Sequence, residues 1–333
     1  MAELTGYLES LCALSAVSGR EDAVREYLLG QLGGAGLACG VDPLGNLLVR
    51  RGGAATLFAH MDEVGFLVRH IDGDGLLYVA AVGGVEASAA LGARVRVNGH
   101  GGVFGAKPVH LLDGEGKSKL PPAASLYVDI GASSREEAEA LVSLGDAVCF
   151  ERQYTSTQAG CVMSPALDDR AGCAILLDIL LNTDLPVDAA FTVQEEVGTR
   201  GAQAAAYSLE PSVALVLEAT TAADLPITAQ NKRVCELGKG AALSFMDNGT
   251  IYDKELFALA LAAAEREGIA AQVKSMVAGA NDAAAIHKSR GGVHTLAISL
   301  PCRYLHSPCG VIDLRDLQAA RALAECVVRE QLR

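Results

Sequence analysis

Apolar residues in this chain come in short unbroken runs that stop abruptly on charge. Ala189-Ala190-Phe191-Thr192-Val193 reads as a buried strand, and two adjacent carboxylates, Glu195 and Glu196, follow before a turn at Gly198. The run TLFA is likewise followed by His60-Met61-Asp62, ALVL by Glu218, and HTLAISLPCRYL by His306. Between such runs lie longer segments with helical spacing, DRAGCAILLDILL, KELFALALAAAERE and LRDLQAARALAECVVRE. Their alternation with AAFTV, SVALVLE, AQVKSMV and HTLAISL predicts an α/β fold with a central sheet covered by helices. The first 60 residues predict two helices and then three strands, with Asp42-Pro43-Leu44-Gly45-Asn46 as a turn between the first two strands. Ser18-Gly19-Arg20-Glu21 fits a capping box at the start of the second helix, Ser18 and Glu21 each satisfying an orphan amide.

The texture changes between about residues 66 and 152, where FLVRHIDGDGLLYVAAVGG, ARVRVNGHGGVFG and LYVDIG read as short strands divided by glycine-rich turns. The simplest architecture is one α/β domain built from residues 1–65 and 153–333, with the β-rich segment 66–152 inserted. Exposed strand edges of such a module are expected to be covered by another subunit. The 333 residues, 50% of them hydrophobic, can fill cores of that size. A net charge of -13 argues against a nucleic-acid surface. No window approaches about 18 uncharged apolar residues and no basic leader is present, so no membrane partner and a cytoplasmic location are expected. Nine cysteines without a CxxC pair read as small buried hydrophobes in a reducing compartment.

The acidic and imidazole groups therefore share one kind of place. His60, Glu195-Glu196, Glu218 and His306 follow predicted strands, and Leu167-Asp168-Asp169-Arg170 precedes a helix. In an open α/β sheet the carboxyl ends of the strands are where ligands bind. Imidazole nitrogens and carboxylate oxygens converging from several strands suit Zn, Co or Mn, and one carboxylate can bridge two ions. Each element alone has a plainer reading: His60 as a hydrogen-bonded histidine, Asp168-Asp169 as a helix N-cap, Glu195-Glu196 as solvated loop charges. Their joint occurrence favours a shared site. Neighbours on a strand point to opposite faces, so Glu195 and Glu196 can serve one site only where the strand is ending.

FAHMDEVGFLV, ALDDRAG, QEEVGTRGA and LPCRYLHSP resemble, in order and spacing, the motifs of the M42 family of metallo-aminopeptidases. GVFGAKPVHLL and YVDIGASSREEAEAL resemble that family's inserted dimerisation domain, and the resemblance spans nearly the whole chain. It implies a dinuclear zinc-peptidase-like domain with a mixed central sheet, an inserted small β-rich dimerisation domain at 66–152, and two divalent metal ions per subunit, Zn or Co. Asp168 corresponds to the bridging carboxylate, His60 and Glu218 to ligands of one ion, Glu196 and His306 to ligands of the other. Glu195 corresponds to the general base, and Asp62 to the carboxylate that orients the His60 imidazole.

The activity so implied is removal of amino-terminal residues from short peptides through a bridging water whose proton Glu195 takes. The implied assembly is a homo-oligomer, dimers building a dodecamer. Glu218 departs from the family's usual Asp, and Asn281 from its Thr. Glycoside hydrolysis, peptide deacylation and non-catalytic peptide binding are the rival readings. The preferred first residue depends on loops around 225–250 and 275–290, where Lys232, Arg233 or Lys239 would favour acidic termini if they face inward.

Overall fold

The computed structural model describes residues 2–53, 55–85, 87–111, 114 and 125–332. An eight-stranded sheet runs in the order Cys39–Val41, Leu47–Val49, Asp188–Thr192, Ala55–His60, Val213–Thr221, His294–Cys302, Ala241–Leu243, Ala271–Val273. The four middle strands, from Asp188–Thr192 to His294–Cys302, are parallel, so their carboxyl ends share one edge. Antiparallel neighbours flank them, Leu47–Val49 on one side and Ala241–Leu243 on the other, which makes the sheet mixed.

Strand periodicity decides which core each side chain joins. Leu57, Ala59, Phe191, Leu215, Leu217, Leu296 and Ile298 pack in one core with the helices Ala2–Cys12, Asp22–Gly34, Leu167–Asn182, Lys254–Glu267 and Leu314–Gln331. Their neighbours Phe58, Ala190, Ala214, Val216 and Ala297 join the opposite core, under Arg200–Leu209 and Ala283–Ile286. Both faces of the sheet are thereby buried, which leaves the strand ends as the open part of the layer.

The β-rich segment closes into a barrel of Gly65–Ile71, Leu77–Val82, Tyr127–Asp129, His100–Gly105, Arg94–Val97 and Ala147–Phe150. Phe66, Val68, Leu77, Val97, Phe104, Val128, Val148 and Phe150 fill it. Closure corrects the expectation of exposed edges: the strands pair with one another around the ring, so no second subunit is required to cover them. Residues 86, 112–113 and 115–124, including Leu112 at the end of GVFGAKPVHLL, lie outside the described residues.

Two local expectations also fail. The helix at Asp22 has no side-chain cap. The Ser18 hydroxyl instead donates to Asp62 Oδ2 at 2.6 Å, and Glu21 Oε1 accepts the N–H groups of Gly19 and Gln194 at 2.7 and 3.2 Å. A buried carboxylate is a stronger acceptor for the Ser18 hydroxyl than a hydrogen bond within the helix end can offset. The strand expected over AQVKSMV stops at Val273, since its pairing with Ala241–Leu243 ends there.

Candidate metal centre

The shared edge of the four parallel strands gathers the singled-out polar groups. His60 ends its strand, Glu195 and Glu196 follow the strand ending at Thr192, and His306 lies in the loop beyond Cys302. That loop is anchored by two backbone bonds between Arg303 and Val311, at 2.9 and 3.0 Å. Glu218 does not end its strand as expected. Pairing continues to Thr221 opposite Cys302, so its carboxylate projects from within the strand.

Asp168 arrives from the first turn of the helix Leu167–Asn182, where it and Asp169 keep non-helical dihedrals. Asp169 Oδ1 accepts the Gly172 N–H at 2.8 Å, so the helix-capping role belongs to Asp169. Asp168 is left to face the imidazoles. Its Oδ1 lies 3.2 Å from His60 Nε2 and its Oδ2 3.4 Å from His306 Nε2. Glu218 Oε1 stands 3.3 Å from His60 Nε2, and Glu196 Oε2 3.2 Å from His306 Nε2. The arrangement has two poles, with Asp168 offering one oxygen to each.

These spacings suit a cation. Ligand bonds of about 2.0–2.1 Å at tetrahedral angles put neighbouring donors about 3.3 Å apart. His60 Nδ1 lies 3.1 Å from the Asp62 carbonyl oxygen and 3.4 Å from Asp62 Oδ1, which holds the proton on Nδ1. The Nε2 lone pair then faces two carboxylate oxygens, a repulsive set unless a proton or a metal ion lies between them. Five carboxylates, Asp168, Asp169, Glu195, Glu196 and Glu218, meet two imidazoles in this space, an excess of buried acid that is relieved either by protonation, toward which burial pushes Asp169 and Glu195, or by bound cations. Glu196 Oε1 and Asp169 Oδ2 are buried with no hydrogen-bond partner among the described residues. Ligand atoms of His60, Asp169 and Glu218 all lie within 4.8 Å of one another, as do those of His60, Asp168 and Glu196. Asp169 is thus a further candidate donor, where the sequence suggested only a helix-capping role.

Asp62 organises the turn that carries the two glutamates. It is fully buried, and its Oδ1 accepts the Glu195 N–H at 2.9 Å while Oδ2 accepts the Glu196 N–H at 3.2 Å. The strand breaks earlier than Gly198. Asn46 Oδ1 takes the Val193 N–H at 2.9 Å, and Gln194 adopts a φ of 56°, so the chain leaves the sheet before Glu195. On the other side of His60, the Arg170 guanidinium donates to the Met61 carbonyl and to Glu63 Oε1, and Arg152 donates to the same Glu63 oxygen.

The electrostatics follow from this crowding. Burial, reinforced by Asp282, Glu196 and Asp168, holds the Glu195 carboxyl well above the ordinary value despite the nearby His60. Burial likewise raises Glu196 and Glu218. Burial opposes ionisation of Asp168 too, but its bonds to His306 and His60 win and lower it. His306, bonded to Asp168 and Glu196, is pushed up to about 10.

A cleft of about 650 Å³ opens from these groups and is lined by Thr220, Thr221, Lys274, Gly279, Asn281 and Ser299 among others. Lys232, Arg233 and Lys239 do not line it: Lys232 and Lys239 are exposed and Arg233 pairs with Glu236. The barrel contributes Gly84, where an added Cβ would lie 3.1 Å from His306 Nδ1. A side chain at this position would therefore press on the His306 imidazole. Asn281, at the family's Thr position, donates to the Tyr252 hydroxyl at 3.1 Å and accepts the Ala283 N–H at 2.9 Å.

A mixed α/β sheet with acidic and imidazole donors at its parallel edge is the setting of a hydrolase. The profile of the M42 glutamyl aminopeptidase family matches residues 45–323. A putative aminopeptidase of Acetivibrio thermocellus is 36% identical, over 96% of this chain and 97% of its own. The lysyl aminopeptidase of Pyrococcus furiosus is 33% identical, over 87% and 86%. Among solved structures, a TET aminopeptidase from a Thaumarchaeota archaeon superposes with a TM-score of 0.94 at 31% identity, covering 99% of both chains. The TET1 peptidase of Pyrococcus horikoshii gives 0.87 at 33%, covering 98% and 99%. The chain belongs to the M42 family and is an aminopeptidase that acts on peptides. No described helix is long and apolar enough to cross a membrane.

Proposed function

We propose that the chain removes single residues from the amino termini of short peptides, with two divalent ions, Zn or Co, as cofactors and Glu195 as general base. The observation that carries this reading is the split of Asp168, one oxygen toward His60 and the other toward His306. His60, Asp168 and Glu218 would hold one ion, and Asp168, Glu196 and His306 the other, with Asp169 a further donor beside the first. When bound, such a pair supplies Lewis acidity and lowers the pKa of water to the neutral range. Glu195 takes a proton at its carboxylate and returns it to the leaving amine, a role for which a carboxyl held above its ordinary value is suited. Asp62 keeps Glu195 and Glu196 in place through their amides and fixes the His60 tautomer.

Residues 66–152 are proposed as an inserted dimerisation domain on a catalytic domain of 1–65 and 153–333, in a homo-oligomer of the cytoplasm. The P. horikoshii relative is described as assembling into a tetrahedron or a large octahedral shell, which supports a closed assembly, and a dodecamer of twelve chains built from dimers is the form we expect. The names of relatives point to opposite first residues, glutamyl and lysyl, so they leave specificity open. The test is hydrolysis of free-amine and amino-blocked peptides by purified protein, before chelation, after it, and after Zn or Co is restored. Release from free-amine peptides only, abolished and then restored, supports the reading. Cleavage of blocked peptides or indifference to chelation contradicts it.

A further inference from the structure

A second cavity, of about 710 Å³, opens on the far side of the turn that carries the two glutamates. Thr199 lines both this cavity and the catalytic cleft. The opposite wall is continuous as well, since Ala280 and Asn281 of the cleft lead into Ala284 and Ala285 of the cavity. From Thr199 the cavity follows the helix Arg200–Leu209 as far as Tyr207 and Ser208. That run is about 13 Å at ~1.5 Å per residue, a length that an extended chain covers with about four residues.

The sign of its charge is opposite to that of the chain. The protein has a net charge of -13, yet Arg200, Lys288 and Arg290 line this cavity, and no carboxylate is among the described lining residues. Ordinary surface charge balanced within the fold is the plainer explanation, and it accounts for Arg290. Its Nη2 pairs with Glu210 Oε1 at 2.9 Å, its Nε donates to Tyr207 O at 2.9 Å, and its guanidinium lies 4.1 Å from the Tyr207 ring centroid. Arg200 and Lys288 differ: both are exposed, and their side chains have no hydrogen bond or ion pair among the described residues. Arg200 is also the first residue of its helix, whose first turn holds no acid, so its charge adds to the positive end of the helix dipole. Two uncompensated cations in a concave wall that continues the catalytic cleft form a site for an anionic group. A peptide held by its amino end at the metal centre brings such a group at its other end, the terminal α-carboxylate.

We propose that this cavity is a subsite for the carboxyl-terminal end of the peptide, with Arg200 and Lys288 binding its terminal carboxylate. This rests on the aminopeptidase reading above and adds to it a preference for short peptides with a free carboxyl terminus. A chain of about three to six residues places its carboxylate inside the cavity, whereas a dipeptide leaves it beside the metal centre.

Pentapeptides with a free or an amidated carboxyl terminus test this, because they match in sequence and size and differ in that charge. In the metal-loaded protein kcat/KM for the acid should exceed that for the amide by roughly three- to tenfold, the scale of one or two exposed ion pairs. The ratio should shrink toward one as salt is raised to about 0.5 M. Arg200→Gln combined with Lys288→Gln should bring the pentapeptide ratio near one, and Arg200→Lys combined with Lys288→Arg should retain it. The ratio is taken within each protein, so a general loss of activity does not mimic the effect. A second readout needs no turnover: in calorimetric titrations of the Glu195→Gln protein the acid should bind roughly three- to tenfold more tightly than the amide. A wild-type ratio near one, or a ratio that persists in the folded double Gln variant, overturns the proposal. A double Gln variant that keeps the ratio but sediments as a smaller oligomer overturns it too, and assigns the two cations to a subunit contact. If wild-type protein cleaves no free-amine peptide, the aminopeptidase reading fails instead, and the calorimetric comparison of acid with amide still decides the role of the cavity.

Discussion

Replacing Asp62 by Asn changes one atom of a group that holds three others. The wild-type carboxylate accepts from Glu195 N, Glu196 N and the Ser18 hydroxyl, and it lies beside the His60 Nδ1–H. In asparagine one oxygen becomes an N–H₂ donor. If that donor replaces Oδ1 it meets the Glu195 N–H, and if it replaces Oδ2 it meets the Glu196 N–H, so one buried amide loses its acceptor in either orientation. An unsatisfied buried donor costs about 1–3 kcal/mol. Loss of the carboxylate behind a ligating imidazole lowers metal affinity by about 10–100-fold, or about 1.4–2.8 kcal/mol. We therefore expect the metal-free Asp62→Asn fold to be about 1–3 kcal/mol less stable in urea titrations. Competition with a chromophoric chelator should show about 10–100-fold weaker Zn binding, and kcat at saturating metal should fall. Ser18→Ala, which removes a single donor to Asp62, should have a smaller effect of the same kind. Wild-type stability together with wild-type Zn affinity in Asp62→Asn would refute Asp62 as the organiser of this turn.

Glu195→Gln should leave metal content nearly intact and lower kcat by roughly 10²–10⁴, whereas Glu196→Gln should deplete metal; elemental analysis beside kinetics separates the two, and the reverse pattern would mean their roles are exchanged. Asp168→Ala should be the most damaging ligand change, since it serves both poles, and the same paired measurements check it. At Glu63, burial favours the neutral form, but Arg152 and Arg170 prevail and hold the carboxyl below its ordinary value of 4.5. Its stabilisation is therefore complete above about 4.5 and is lost as pH falls through the depressed folded value, so the stability gap between wild type and Glu63→Gln should narrow in acid-denaturation curves below that point. Sedimentation of the full-length protein at micromolar concentration should show a large closed oligomer, and an active monomer would contradict the assembly proposed for residues 66–152.

The parallel core was legible because a strand buried on both faces must be a continuous apolar run, and AAF, TLFA, ALVL and TLAIS are such runs. Polar groups at their ends stood out for the same reason, which brought His60, Glu195, Glu196 and Glu218 into view without any contact being known. What failed was non-local. Ser18 and Glu21 have the spacing of a capping box, but their partners are Asp62 and Gln194, which local spacing cannot reveal. Glu218 was read as a strand end because its run of aliphatics stops there, whereas pairing with the neighbouring strand carries the sheet on through Thr221. Barrel closure was hidden in the pairing of Phe66–Leu67 with Ala147–Val148, far apart in the chain. Lys274 sat unmarked inside AQVKSMV, since its exposure to the cleft depends on where the edge strand ends.

The number of divalent ions held per chain tests the central claim most directly. Protein stripped by exhaustive chelation, reloaded with Zn or Co and freed of excess metal should contain about two ions per chain, with peptide hydrolysis returning as they bind. A saturated content near one, or full hydrolysis by the stripped protein, would contradict a two-pole centre built on Asp168.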